Sequence, residues 1–264
     1  MTQAVLRQDL GVLRLTGKDS RDLLQRLSTN DVLKRRVGDV VDNVLTTEKG
    51  RVLDVVTMIF RDDALWLVTR GPPTVAGEHI DKMTFREDAK VAVAPWVVAH
   101  LIGGAATLPA MPRGFVVQGA VAGVNGLHVI GPAAAVETAI SGIARMSDFE
   151  QFRVREGIAA YGKEISEAYN PHEARLGAFI DWEKGCYVGQ EVVARLDTYK
   201  KVQRTLLRLR SDKTFAEGDA VLASGETVGS VTSAAGDAAL AYVKLAAEDA
   251  PLTVGGAPVQ VIPW

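Results

Sequence analysis

A single cysteine, Cys186, stands in the run Lys184-Gly185-Cys186-Tyr187-Val188-Gly189-Gln190-Glu191. One thiol cannot close an intrachain disulfide, nor by itself hold a zinc ion or an iron–sulfur cluster. It can act as a thiolate, and three features of the run favour that form. Lys184 brings positive charge, a helix beginning near Gly189 brings its N-terminal dipole, and glycines at 185 and 189 allow close backbone approach. The competing reading is packing, because a free cysteine is most often a small buried hydrophobe. Gln190 and Glu191 set an amide beside a carboxylate. That pair suits the donor–acceptor edge of a heterocycle, and it equally suits the first turn of a helix. Arg195 follows Glu191 by four residues, the favourable order for a helical ion pair.

A second dense segment is Asn170-Pro171-His172-Glu173-Ala174. Asn-Pro starts a turn, after which His172 and Glu173 can face a pocket or simply fix the turn. The four histidines, His79, His100, His128 and His172, show no metal-ligand spacing, so no metal site is expected. From Arg195 to Lys213 the chain is locally basic, with Lys200, Lys201, Arg204, Arg208 and Arg210 against Asp197 and Asp212. Such a run is ordinarily a solvated strand face, and otherwise a contact for a polyanion. No series of stacking aromatics accompanies it, which argues against single-stranded RNA. The phosphate loop, the nucleophile elbow and the strand-linked dinucleotide fingerprint are all missing.

The elements that must position these groups alternate in type. Ala4–Leu15 reads as strand with a turn at Asp9-Leu10-Gly11. A helix follows over 21–27, with Leu23, Leu24 and Leu27 on one face and Asp19 or Ser20 as cap. Asn43–Thr47 and Arg51–Phe60 form a hairpin about Glu48-Lys49-Gly50, and Ala64–Thr69 adds a strand. The pattern then predicts a helix over 75–85, a strand over 90–94, short strands at 115–117 and 127–130, and a helix from Gly131-Pro132 through Ala144. Ser147-Asp148-Phe149-Glu150 reads as a capping box for a helix that stops at Gly157. Five short strands after Thr205 predict a small β-barrel, with a domain boundary near 198–202. The class is α+β.

At 264 residues the chain is long enough for one large or two modest cores. A formal charge of −2 gives no global pull toward nucleic acid or membrane. Arg7 and Asp9 interrupt any signal-peptide core, no apolar run suffices to span a bilayer, and one cysteine argues against a disulfide scaffold. A reducing cytoplasm is the expected location.

The cysteine run resembles the K-G-C-Y-x-G-Q-E motif of the YgfZ/GcvT-type folate-binding family. Leu27-Ser28-Thr29-Asn30-Asp31 is similar to that family's T-N-D element, and Glu48-Lys49-Gly50-Arg51 with Asp54 to its K-G-R turn. Gly157–Gly162 and Asn170–Ala174 resemble the G-x-x-x-x-G and N-P-x-E-A segments. The resemblance implies a folate-binding domain over 1–198, made of two subdomains (1–45 with 147–198, and 46–146) around a central cavity. It implies a C-terminal β-barrel over 199–264. The cysteine form of the motif is that of the YgfZ-like branch, implicated in iron–sulfur cluster assembly or repair and in tRNA modification. The other branch comprises the aminomethyltransferases of glycine cleavage.

Two departures weigh against one-carbon transfer. Where the aminomethyltransferases carry a catalytic Asp, this chain reads Gly71–Gly77, with Glu78 the nearest carboxylate. Where they carry a pteridine-binding Glu in R-x-E-x-G, it reads Arg153-Val154-Arg155-Glu156-Gly157, which shifts the carboxylate by one residue. The resemblance therefore implies a non-enzymatic accessory factor that binds tetrahydrofolate non-covalently, with iron–sulfur client or assembly proteins as partners and no resident metal. Its site residues would be Cys186 and the rest of its motif, with Asp54, Arg155, Glu156 and Arg195 toward folate. The alternative is a folate-dependent aminomethyl- or methyltransferase, and an RNA-modification partner is a third reading.

Overall fold

The structure, a computed structural model, describes residues 2–104, 108, 111 and 113–264. By its contacts the chain divides into two units: 1–147 with 178–190, and 148–177 with 191–264.

The first unit begins with β1 (Gln3–Arg7) and β2 (Gly11–Thr16), then α1 (Ser20–Leu27), β3 (Val40–Thr46), β4 (Val52–Phe60) and β5 (Leu65–Thr69). After α2 (Pro73–Lys82) come β6 (Lys90–Val93), β7 (Trp96–Ile102), β8 (Phe115–Val121), β9 (Val124–Pro132), α3 (Ala133–Ala139) and β10 (Ala144–Arg145). The turn at Asp9 does more than fold one strand back. It sends β1 and β2 into different sheets, ordered β10-β1-β7-β9-β8 and β3-β4-β5-β2-β6. The two sheets meet through Val12, Ile59, Trp66 and Val68 on one side and Val98, Phe115 and Ile130 on the other. Strand alternation sends the remaining apolar residues outward. Leu13, Leu15, Val56, Met58, Phe60 and Leu67 pack with Leu23, Leu24 and Leu27 of α1 and Ala76 and Ile80 of α2. Ala99, Leu101 and Val129 pack with Val136 and Ala139 of α3. β4 is covered on both faces, which is why its sequence is a nearly unbroken apolar run.

The second unit holds α4 (Phe149–Glu156), α5 (Gln190–Thr198, from its second residue on) and the strands β11 (Arg204–Arg210), β12 (Ala220–Ala223), β13 (Glu226–Ala235), β14 (Ala238–Lys244), β15 (Leu252–Val254), β16 (Ala257–Pro258) and β17 (Gln260–Ile262). These strands form one sheet, β16-β15-β12-β13-β14-β11-β17, around Leu207, Leu209, Val221, Val231, Ala241 and Val243. The sheet curls into a barrel: its two end strands are consecutive in the chain, and Val259 N–H donates to Leu252 O.

The α+β class and the C-terminal barrel are as expected, with local differences. The barrel has seven strands where five were expected, because β15 and β16 are too short to carry a pattern. β7 was not foreseen, and the helix expected to reach Ala144 ends at Ala139. The cap of α4 is Asp148, which accepts from Gln151 N–H, so the capping box shifts by one residue. Asp19 precedes α1 without capping it, and its carboxylate instead accepts from Asp88 N–H. No helix among the described residues is long and apolar enough to cross a membrane.

Candidate functional site

The cysteine loop belongs to the first unit, where the fold lays it across the end of α1 and the β3–β4 turn. Thr29 donates to Phe179 O at 2.6 Å and accepts from Val44 N–H, while Asp181 N–H donates to Thr29 O. Val188 N–H donates to Arg26 O, and Thr46 Oγ1 donates to Val188 O at 2.5 Å. Asn30 N–H donates to Asn43 Oδ1, and Asn30 Oδ1 accepts from Asp31 N–H and Arg35. Three segments far apart in sequence (27–31, the turn after Thr46, and 178–190) thus share one network.

Lys184 is the centre of that network. Its ammonium donates to Gln25 O at 2.8 Å, Ser28 O at 2.5 Å and Asn30 O at 2.9 Å. A helix leaves its last carbonyls without partners, and a cation there also meets the favourable end of the dipole. All three Lys184 donors are spent on backbone carbonyls, and burial brings its pKa down to about 8. The expectation that Lys184 lends its charge to the thiol meets a different arrangement: its protons are committed to α1 and the chain after it.

Cys186 is exposed, so the reading of it as a small core hydrophobe does not hold. The two motif glycines differ. Gly189 sits at φ +81°, and a Cβ there would come within 2.4 Å of Thr47 O. At Gly185 a Cβ would meet nothing within 4 Å. Close backbone approach is therefore a property of Gly189 alone. Tyr187 is buried, and its hydroxyl has no partner among the described residues; burial pushes its pKa up to about 12. Gln190 accepts from Tyr187 N–H through its amide oxygen and so fixes the loop at the start of α5. Glu191 follows on the exposed side of the helix.

The residues expected to meet folate are distributed over both units. Asp54, on β4, is fully buried. Both of its oxygens accept from Gly71 N–H at 3.2 Å, and Oδ1 also accepts from Val55 N–H. Desolvation raises its pKa to about 7 against these hydrogen bonds and nearby Arg70. In the second unit Arg155 lies on α4 and donates to Asp237 at 2.7 Å. Glu156, the next residue, is exposed, and so is Arg195 on α5. Of the four, Glu156 and Arg195 present charged groups open to a ligand, while Asp54 and Arg155 are engaged by the protein.

Sequence reasoning missed the companions of Asp54. Asp42 accepts from Thr57 Oγ1 at 2.5 Å, Thr57 accepts from Ala122 N–H, and buried Arg70 lies 3.8 Å from Asp42. Burial raises the pKa of Asp42 as well. Asp42 and Thr57 are cross-strand partners only because a bulge between Leu45 and Thr46 shifts the register by one; a regular count from Glu48-Lys49-Gly50 sets Asp42 opposite Val56. The available signal was weaker, a carboxylate at 42 and another at 54 standing within largely apolar strands.

The N-P-x-E-A segment is a structural joint in the second unit. Asn170 Oδ1 accepts from His172 N–H and Glu173 N–H, and Glu173 accepts from Arg204. His172 Nε2 contacts Val193 O at 2.9 Å, and Leu206 N–H donates to Glu173 O. His172 and Glu173 thus tie this turn to α5 and β11.

Residues 203–264 match the family described as CAF17, C-terminal beta-barrel domain. The aminomethyltransferase of Symbiobacterium thermophilum is 25% identical over 90% of this chain and 77% of its own length. The chloroplastic protein At1g60990 of Arabidopsis thaliana is 36% identical, over 33% of this chain and 20% of that protein. Among solved structures, the glycine cleavage system aminomethyltransferase T of Bartonella henselae superposes with a TM-score of 0.85 at 16% identity. That superposition covers all of this chain and 85% of the other.

Proposed function

Because the chain belongs to the GcvT-like folate-binding family, we propose that it is a tetrahydrofolate-binding accessory factor in the assembly or repair of iron–sulfur clusters. The observation that carries this reading is the exposed Cys186 on a loop fastened on either side of it through Lys184 and Val188. The barrel's match to the CAF17 family supports the same branch. One thiol binds a cluster only with ligands from elsewhere, so the partner is an iron–sulfur client or assembly protein that supplies them. The open carboxylate of Glu156 and the guanidinium of Arg195 suit the donors of a pteridine ring and the carboxylates of a folate tail. The expected location is the cytoplasm, and the expected domain division, 1–198 for folate and 199–264 for the barrel, belongs to this reading.

The test pairs two measurements. Calorimetry should show tetrahydrofolate binding that Glu156→Gln weakens. A strain lacking the gene should lose iron–sulfur enzyme activity, and the gene carrying Cys186→Ala should fail to restore it. Absence of folate binding together with normal cluster enzymes in the deletion strain refutes the proposal.

A second reading, folate-dependent aminomethyl transfer, draws on the relatives that align along most of the chain. It needs a general base near substrate. Asp54 is sealed from solvent, whereas Glu78 and Glu156 are exposed. Turnover of tetrahydrofolate with an aminomethyl donor, lost in Glu78→Gln or Glu156→Gln, would establish it.

A further inference from the structure

A groove of about 410 Å³ opens in the first unit between the β2–α1 connection (Thr16, Gly17, Lys18) and the β4–β5 turn (Arg61, Asp62, Asp63). A second recess of about 290 Å³ shares Val37, Phe60, Arg61 and Asp62 with it and continues to Phe115 and Gln118 on β8. Together they reach the size of small-molecule sites. Nothing in the reading proposed above uses them.

Two guanidinium groups in the groove lie over aromatic rings. Arg21 lies over Phe60 at 4.9 Å, and Arg61 lies over Phe115 at 4.5 Å. Both rings are buried, and a guanidinium, being planar, can stack a second ring on the face away from the first. Arg21 spends one N–H on Arg35 O and forms no ion pair among the described residues. Lys18, exposed at the rim, forms none either. The arginines of the turn, Arg61 and the neighbouring Arg14, both pair with Asp63. Asp62 is then the one lining carboxylate without a cation, set against Lys18 and Arg21. Leu15, Phe60, Ala64 and Leu65 supply apolar wall.

We propose that this groove binds a nucleoside phosphate, with the base stacked on the Arg61 or Arg21 guanidinium and the phosphates met by Lys18 and the free edge of Arg21. A planar ring joined to a polyanion is the ligand class that uses both a guanidinium already set over a ring and the uncompensated charge of Arg21 and Lys18. A plain anion would use the charge alone, and a plain aromatic would use the plane alone. The proposal does not depend on folate binding.

The test is calorimetric titration of the purified full chain with ADP at low salt. Binding is expected, weakening as salt is raised. Arg21→Ala and Arg61→Ala should each weaken it about tenfold, with Arg61→Lys intermediate because it keeps charge but loses the stacking plane. Circular dichroism establishes that each variant is folded, and Arg61, exposed on the turn, is the variant that spares the core. Four results would overturn the proposal. They are no heat with ADP up to about 5 mM, ADP binding indifferent to both arginine substitutions, displacement of ADP by equimolar inorganic phosphate or γ-linked triglutamate, and binding of an RNA oligomer by a chain that ignores ADP.

Discussion

Among the residues of the cysteine motif, Lys184 carries the heaviest structural duty. Its ammonium holds three backbone carbonyls at and after the end of α1. Lys184→Met keeps the stem and removes all three bonds, leaving buried acceptors unpaired. A loss of about 2–4 kcal/mol in urea unfolding is expected. Asp54 makes a different prediction, set by pH. Its carboxyl is raised to about 7 in the fold, against the ordinary carboxylate range when unfolded. The folded state therefore binds more protons than the unfolded one between pH 4 and 7. The resulting stability is complete below pH 4 and is lost as pH rises through 7. Asp54→Asn keeps an acceptor for Gly71 N–H and abolishes the titration. Unfolding midpoints across pH should show wild type declining relative to this variant, by roughly 2–4 kcal/mol between pH 4 and 8.

Among the elements, the loop 178–190 depends on fit against the β3–β4 turn. Gly189→Ala would place a methyl group 2.4 Å from Thr47 O at a positive φ. It should cost at least about 2 kcal/mol and lift the loop, so that Cys186 reacts faster with a thiol reagent. Gly185→Ala, with open space around it, should stay within about 0.5 kcal/mol of wild type in the same unfolding assay. Equal effects at the two glycines would contradict this account of the loop. The same contrast separates what was legible in the run from what was not. Two glycines flanking a cysteine look alike in sequence, and only the turn packed against one of them tells them apart.

Over the whole molecule, the chain passes between its two units three times, so each unit is completed by segments distant in sequence. In the second unit Glu164 is the joint between the segment after α4 and the barrel. It accepts from Arg153, Ala160 N–H, Thr232 and Ser233, and is wholly buried. Glu164→Ala removes the buried acceptor these four groups share. Arg153 keeps Glu150 and Ile158 O and Thr232 keeps Leu240 O, while Ala160 N–H and the Ser233 hydroxyl lose theirs. The change should cost about 3–5 kcal/mol. Hydrogen exchange should locate that loss in α4, β13 and β14, and uniform loss across the chain would argue against a local joint.

The sequence by itself determined the α+β class, the paired strands about Gly50, the helix carrying Leu23, Leu24 and Leu27, and the C-terminal barrel. All of these rest on periodicity, turn chemistry and apolar spacing, which are local. It also marked the cysteine run, because eight residues of restricted type stand together. The tertiary structure alone decided what those residues do. Lys184 reaches carbonyls more than 150 positions away, Asp54 ends inside a core beside Asp42 and Arg70, and Cys186 is left at the surface. Hydrogen-bond partners and burial are properties of segments brought together from across the chain, and no spacing within one segment encodes them.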